Sequence, residues 1–404
     1  MKISHLIAAT VAVGICLFAL LGAQAYAEQL ENQYVPALAP WIFPQRNQGS
    51  ALQRAAFRRP DLLPIYGSSE LNNEDTYDAN HIFNSYPTGF APFPVGMADT
   101  EPLIMVQKLA ALGPDVRGKK VVISLSPSFY HEGQYHVETY NGNFSPLHAN
   151  ALAFSTELSW GTRQGIAQRM LDYPELLEQD PLLKFALQRI TGGSFLDQAL
   201  YDAALPLGKL HLFVLGLQDH WETINLIWKT PNLQTEIAHT PATINWPALA
   251  TRAENAYKPH TSNNPFGMEN SQYTYYRQMI DKGHNSSSDE KFLNIVQNSK
   301  GWTDLALLLD GLNDLGAEPL VILLPLHGGW FDWQGISYSA RAVLYNRVRA
   351  IANAHNVKVV VMDDHDSDKY FLIDPGAHMS SKGWVYYDQV LDAFYNGKLN
   401  QSGK

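Results

Sequence analysis

Four short apolar runs carry no polar alternation: Leu62 to Tyr66, Lys120 to Leu125, Leu320 to Leu324 and Val357 to Met362. A strand with one face in water alternates apolar and polar residues, whereas a continuous run demands cover on both faces. Helical spacing fills the gaps: Leu103, Val106, Leu109 and Ala110; Leu305, Leu308, Leu309, Leu312 and Leu315; Ala340 to Ala354; and a last helix over Val385 to Phe394. The pattern predicts a three-layer α/β sandwich with a parallel sheet. A helical insertion over about 146–300 interrupts it and includes Leu210 to Trp228. Within it, Leu210 to Leu217 is only eight residues long and reads as a buried helix segment, and Asn285 to Asp289 reads as a polar loop.

The N-terminus imposes a second constraint. Leu6 to Ala27 is 22 residues without a charge, preceded by Lys2 and His5 and followed by Glu28 and Glu31. That length spans a bilayer, and the cation on the N-terminal side places the N-terminus in the cytoplasm and the rest outside. A cleaved signal peptide is the competing reading, because Ala23, Gln24, Ala25 and Ala27 offer small-residue cleavage sites. Residues 28–60, with Pro36, Pro40 and Pro44 and then Arg58 and Arg59, read as an extended stalk or linker. The expected division is an anchor at 1–27, a linker at 28–60 and an extracytoplasmic domain at 61–404. Cys16 is the only cysteine, so disulfides and thiolate metal sites are excluded beyond the anchor. A net charge of −10 without a basic run argues against nucleic acid as a partner.

Two segments lie where chemistry is expected in an open α/β sheet, in loops at strand ends. Gly67, Ser68, Ser69 and Glu70 follow the first strand directly; Asp374, Pro375, Gly376, Ala377 and His378 precede the last helix. A serine hydroxyl needs a base to take its proton, and an imidazole needs a carboxylate to fix its tautomer. The same residues have a plainer reading, in which Ser68 and Ser69 cap a helix and His378 sits at the surface. Asp363, Asp364, His365, Asp366 and Asp368 lack the turn glycine of a calcium loop and read as a solvated loop. His327, Gly328 and Gly329 also follow a strand and are candidates for the substrate pocket.

Taken in order, several blocks resemble the D-alanyl-lipoteichoic acid biosynthesis (DltD) family, a branch of the SGNH-like esterase superfamily. Gly67-Ser68-Ser69-Glu70-Leu71 is similar to that family's Gly-Ser-Ser-Glu block. Phe93-Pro94-Val95-Gly96, Ser126-Pro127-Ser128-Phe129 and Trp330-Phe331-Asp332-Trp333-Gln334-Gly335 resemble later blocks, and His378, Lys382, Gly383 and Trp384 keep the family spacing. The resemblance implies Ser69 as nucleophile with Ser68 as fallback, His378 as base and then acid, and Asp374 to orient it. It also implies an oxyanion hole using the Gly96 N–H, with Glu70, Ser126 and His327 lining the pocket. It further implies transfer of a D-alanyl group to teichoic acid, with a membrane-bound O-acyltransferase and a small acyl carrier protein as partners and no metal or bound organic cofactor. The chain departs from the pattern at three places. Asp374 lies four residues before His378 rather than three, with Gly376 expected to absorb the extra residue. Met97, Ala98 and Asp99 replace glycines, and Ser128 and Phe129 replace Gln-Trp. These mark a divergent member, with room for acetyl or another acyl group on a different envelope polysaccharide. The alternative is a non-catalytic anchored module that positions carrier or polymer for a membrane acyltransferase.

Overall fold

A computed structural model of the chain describes residues 3–39, 49–72, 74–131, 137–231, 233, 242–281 and 288–399. Five strands, β1 (Leu62–Gly67), β2 (Ala91–Gly96), β3 (Lys120–Leu125), β4 (Glu318–Leu323) and β5 (Lys358–Val361), form one parallel sheet in the order β2-β1-β3-β4-β5. Alternate residues serve two separate cores, which is why the runs show no polar alternation. Tyr66, Phe93, Val95, Val121, Ile123, Val321 and Leu323 face one core, shared with helices α3 (Pro102–Leu112), α6 (Gly301–Leu315) and α7 (Tyr338–Ala354). Leu63, Ile65, Val122, Leu320, Ile322 and Val360 face the other, closed by Trp384, Tyr387, Leu391 and Phe394 of α8 (Ser381–Tyr395). The three layers of the α/β expectation are therefore present.

One strand was invisible to the run pattern. β2 reads Ala-Pro-Phe-Pro-Val-Gly, and prolines argue against a strand because they cannot donate to a ladder. Here the strand lies at the sheet edge, paired only with β1. In a parallel ladder alternate residues point their N–H groups to opposite sides. The Ala91 N–H donates 2.9 Å to the Asp61 carbonyl on the β1 side, so Pro92 and Pro94 turn their missing donors to the open edge.

Two expectations are corrected. Most of the described part of the stretch read as an extended stalk is helical: α1 runs unbroken through Ile3–Leu38, and α2 covers Ala51–Arg58. Leu30, Tyr34 and Leu38 recur every four residues and pack on the main core, and this apolar spacing outweighs Pro36 in the last turn. Pro40 and Pro44 lie outside the described residues, as do positions 285–287 of the polar loop. The uncharged run read as an anchor forms the exposed first part of α1, a helix long and apolar enough to cross a membrane. The second correction concerns Leu210 to Leu217, which is not a short buried segment. It is part of the 35-residue helix α4 (Phe195–Lys229), on which Leu210 and Val214 are exposed. The run looked isolated because Lys209 and Gln218 bound it in sequence; the helix simply continues past both.

Candidate active site

The chain leaves β1 through Gly67 and enters a 3-10 turn at Ser69–Asn72. In this strand order the connections from β1 lead first to one side of the sheet and then to the other, so the turn sits at the topological switch point. The turn is held from beneath. Glu70 is buried, and its Oε1 accepts the Ser68 N–H at 2.8 Å. Burial pushes the Glu70 carboxyl up from its ordinary value, against the Ser68 and Glu70 N–H groups, the charge of His378 and the Ser124 hydroxyl, which pull the other way.

The second half of the site is a loop following β5. The Ile373 N–H donates 2.9 Å to the His378 carbonyl, which closes the loop on itself. Inside it, Asp374 Oδ1 accepts the Gly376 N–H at 2.9 Å and the His378 N–H at 3.3 Å, leaving Oδ2 at 2.8 Å from His378 Nδ1. The other ring nitrogen, Nε2, is 3.0 Å from Ser69 Oγ across 309 residues of sequence. The four-residue spacing thus places the carboxylate on the imidazole. The residue that absorbs the extra length is Ala377, with φ of 64°, and not Gly376. A side chain in that region costs about 1–3 kcal/mol and persists only where its surroundings hold it. Asp374 Oδ1, accepting both loop amides, supplies that hold.

Burial alone would lower the His378 pKa. The hydrogen bond and charge of Asp374, with the charges of Glu70 and Asp99, reverse this and leave it above the ordinary imidazole value. The ring is thus ready to take a proton from the hydroxyl it touches, and the carboxylate is placed to stabilise the resulting cation.

The remaining expected residues fall into two groups. Gly96 ends β2 opposite Gly67, and a Cβ there would lie 2.1 Å from the Gly67 carbonyl oxygen. Its first role is therefore to let the two strand ends meet beneath the serine turn. Gly96→Ala is expected to cost about 1–3 kcal/mol in denaturant unfolding and to lower activity with it. Gly329→Ala, where the nearest atoms are 3.9 Å away, should leave both unchanged. Ser68 is buried behind the turn, its amide engaged by Glu70, and it is not a hydrogen-bond partner of His378. Ser126, at the end of β3, shares a 2.7 Å hydrogen bond with Ser128 rather than with Ser69 or His378. Burial pushes His327 down to about 4; its Nδ1 accepts the Trp330 N–H at 3.4 Å. These two residues are near the strand ends but outside the hydrogen-bonded chain.

The acidic run is not simply solvated, which corrects the expectation for it. Asp366 is buried and takes Arg341 Nε and Nη2 at 2.9 and 2.6 Å together with the Tyr345 hydroxyl. Arg341 also donates 2.7 Å to Asp332, so it ties the Trp330–Gly335 block to the acidic loop. Asp363 pairs with Arg349, and Asp368 with Lys382 at 2.6 Å. The cluster is structural because each of these charges meets a cation. Asp99 was not singled out as a charge that acts on His378. Its φ of 61° gave the signal: it stands where glycines were expected, and aspartate tolerates that backbone conformation better than most residues.

Comparison with known proteins places these features in a family. A sequence model described as "DltD protein" matches residues 41–396. The chain is 27% identical over 374 residues to Protein DltD of Bacillus subtilis (strain 168), covering 92% of each chain. It is 23% identical to Protein DltD of Staphylococcus aureus (strain NCTC 8325 / PS 47), over 95% of this chain and 93% of the other. Against Protein DltD of Lacticaseibacillus rhamnosus it is 22% identical, with 88% and 86% covered.

Proposed function

The chain belongs to the DltD protein family, and from that premise we propose that it moves an acyl group, D-alanyl by its kinship, onto teichoic acid through a covalent intermediate on Ser69. The observation that carries this reading is the 3.0 Å contact between His378 Nε2 and Ser69 Oγ, with Asp374 aligned behind the ring. A module that only bound carrier or polymer would need neither the imidazole nor the carboxylate in line.

In the first step Ser69 Oγ attacks the carbonyl carbon of an acyl ester or thioester, and its proton passes to His378 Nε2. Asp374 stabilises the imidazolium. The negative charge formed on the carbonyl oxygen is held by backbone N–H groups near Ser69 and Gly96. Collapse of the intermediate breaks the bond to the leaving alcohol or thiol, which takes the proton back from His378. A polymer hydroxyl then attacks the acyl-serine, gives its proton to His378, and releases Ser69 as that proton returns to Oγ. The charge of Asp99, which acts on the ring, and the replaced third block give the pocket a chemistry of its own, and acetyl or another acyl group is the variant reading of the donor.

The first part of α1 serves as the membrane anchor, with the N-terminus in the cytoplasm and the α/β domain outside. A membrane-bound O-acyltransferase, with its small acyl carrier protein on the other side of the bilayer, would supply the acyl group. Incubating the full chain with a D-alanyl ester and quenching in acid should leave one alanyl unit on the peptide that contains Ser69, read by mass spectrometry. An unmodified serine during measurable turnover would remove the acyl-enzyme step.

A further inference from the structure

Helix α4 carries apolar side chains on two faces, and among the described residues only one of them is covered by protein. Its inner face is held against the domain along its length: Tyr201 bonds to the Ala153 carbonyl, Gly208 packs on the Phe154 ring, and Thr223, Ile224 and Ile227 are buried. On the outer face Leu200, Leu207, Val214, Trp221 and Trp228 recur every seven residues, with Leu210 between them, and all are exposed; Leu210 is 60% and Trp228 63% accessible. Seven residues are nearly two helical turns, so these side chains form one stripe. A continuous exposed apolar patch of this kind marks a docking surface.

The position of α4 on α1 indicates what covers the stripe. His220 bonds to Glu31 at 2.7 Å, just after the uncharged run ends at Ala27. The stretch of α4 from Lys209 to His220 shares one cleft with Gln24, Glu28 and Glu31, so α4 packs on α1 where the uncharged run ends. Phe195 and Leu196 at the N-terminal end of α4 are exposed as well. Trp221 and Trp228 add two exposed indoles to the stripe, and indoles favour the headgroup region. Spanning is excluded, because the inner face is packed on the domain from Tyr201 to Ile227.

We propose that the outer stripe of α4 lies in the outer-leaflet interface of the lipid bilayer, so that the domain is seated on the membrane by a helix face as well as tethered by α1. This rests on the reading of α1 as an uncleaved anchor. An interfacial helix of this kind sinks its apolar face roughly 5–10 Å below the headgroups. The seat fixes the orientation of the domain, and hence the height of Ser69 above the membrane in which its acyl donor is made.

The full chain in lipid nanodiscs tests this with one environment-sensitive fluorophore per molecule and doxyl-labelled phospholipid as quencher. The native Cys16 reports the anchor. In a Cys16→Ser background, Leu207→Cys reports the stripe and Lys398→Cys is the exposed control. The expected result is loss of fluorescence at 16 and at 207, and none at 398. Quenching at 16 but not at 207 overturns the inference and leaves the anchor standing, with a protein as the partner for the stripe. No quenching at either site removes the anchor and the inference together.

Discussion

Ser69→Ala is expected to lower ester hydrolysis by roughly 10⁶-fold, the scale on which removing the nucleophile from a serine triad acts. The loss is large because no neighbour can substitute. Ser68 is buried with its backbone tied to Glu70, and Ser126 is engaged with Ser128. Folding should be unaffected to within about 0.5 kcal/mol, the range of surface substitutions that break no network, since among the described residues the side chain of Ser69 has a hydrogen bond only with the imidazole. Ester hydrolysis and polymer acylation in cells are the two readouts, with thermal unfolding as the control for folding. Both activities surviving at full rate would leave the non-catalytic binding module as the description of this chain.

Asp374→Asn should cost about 10⁴-fold in kcat while the loop keeps its shape. The side-chain oxygen of asparagine can still accept the Gly376 and His378 N–H groups, but its amide would face Nδ1 and donate to it. That forces the hydrogen onto Nε2, where it points at Ser69 and the ring can no longer act as a base. The pH profile separates this from mere loosening. His378 must be neutral to accept the serine proton, and its pKa lies above 6.5, so the wild-type rate falls with decreasing pH through a midpoint above that value. Removing the negative charge leaves burial, which lowers the pKa, less opposed, and the acid limb of the residual activity should move to lower pH. Asp363→Asn is the control, since Asp363 pairs with Arg349 and takes no part in the chain of hydrogen bonds. If Asp374→Asn runs at the wild-type rate, the third member lies elsewhere or does not exist.

The parts of the molecule that were legible in sequence share one property: their signal is local. Runs buried on both faces announced β1, β3, β4 and β5, and helical spacing announced α3, α6, α7 and α8. The serine turn and the histidine loop were each recognisable as strand-end segments, and the family pattern joined them. β2 was hidden because its prolines are tolerated only at an unpaired edge, and being an edge is a property of the assembled sheet. Residues 28–38 and 51–58 were hidden for a related reason, since their helices are stabilised by packing on the core rather than by composition. Ala377 was not foreseen as the strained residue because glycine beside it offered the cheaper solution, and only the hydrogen bonds of Asp374 decide between them. The roles of Asp366 and Arg341 likewise depend on burial, which spacing does not report.

The 309 residues between Ser69 and His378 also set a timetable. Ser69 lies in the turn after the first strand to emerge from the ribosome and His378 in the loop before the final helix, so pairing them must wait for almost the whole polypeptide to be made and to condense. An incomplete or proteolytically shortened molecule would carry an inert serine, and reactivity at that position doubles as a readout of completed folding.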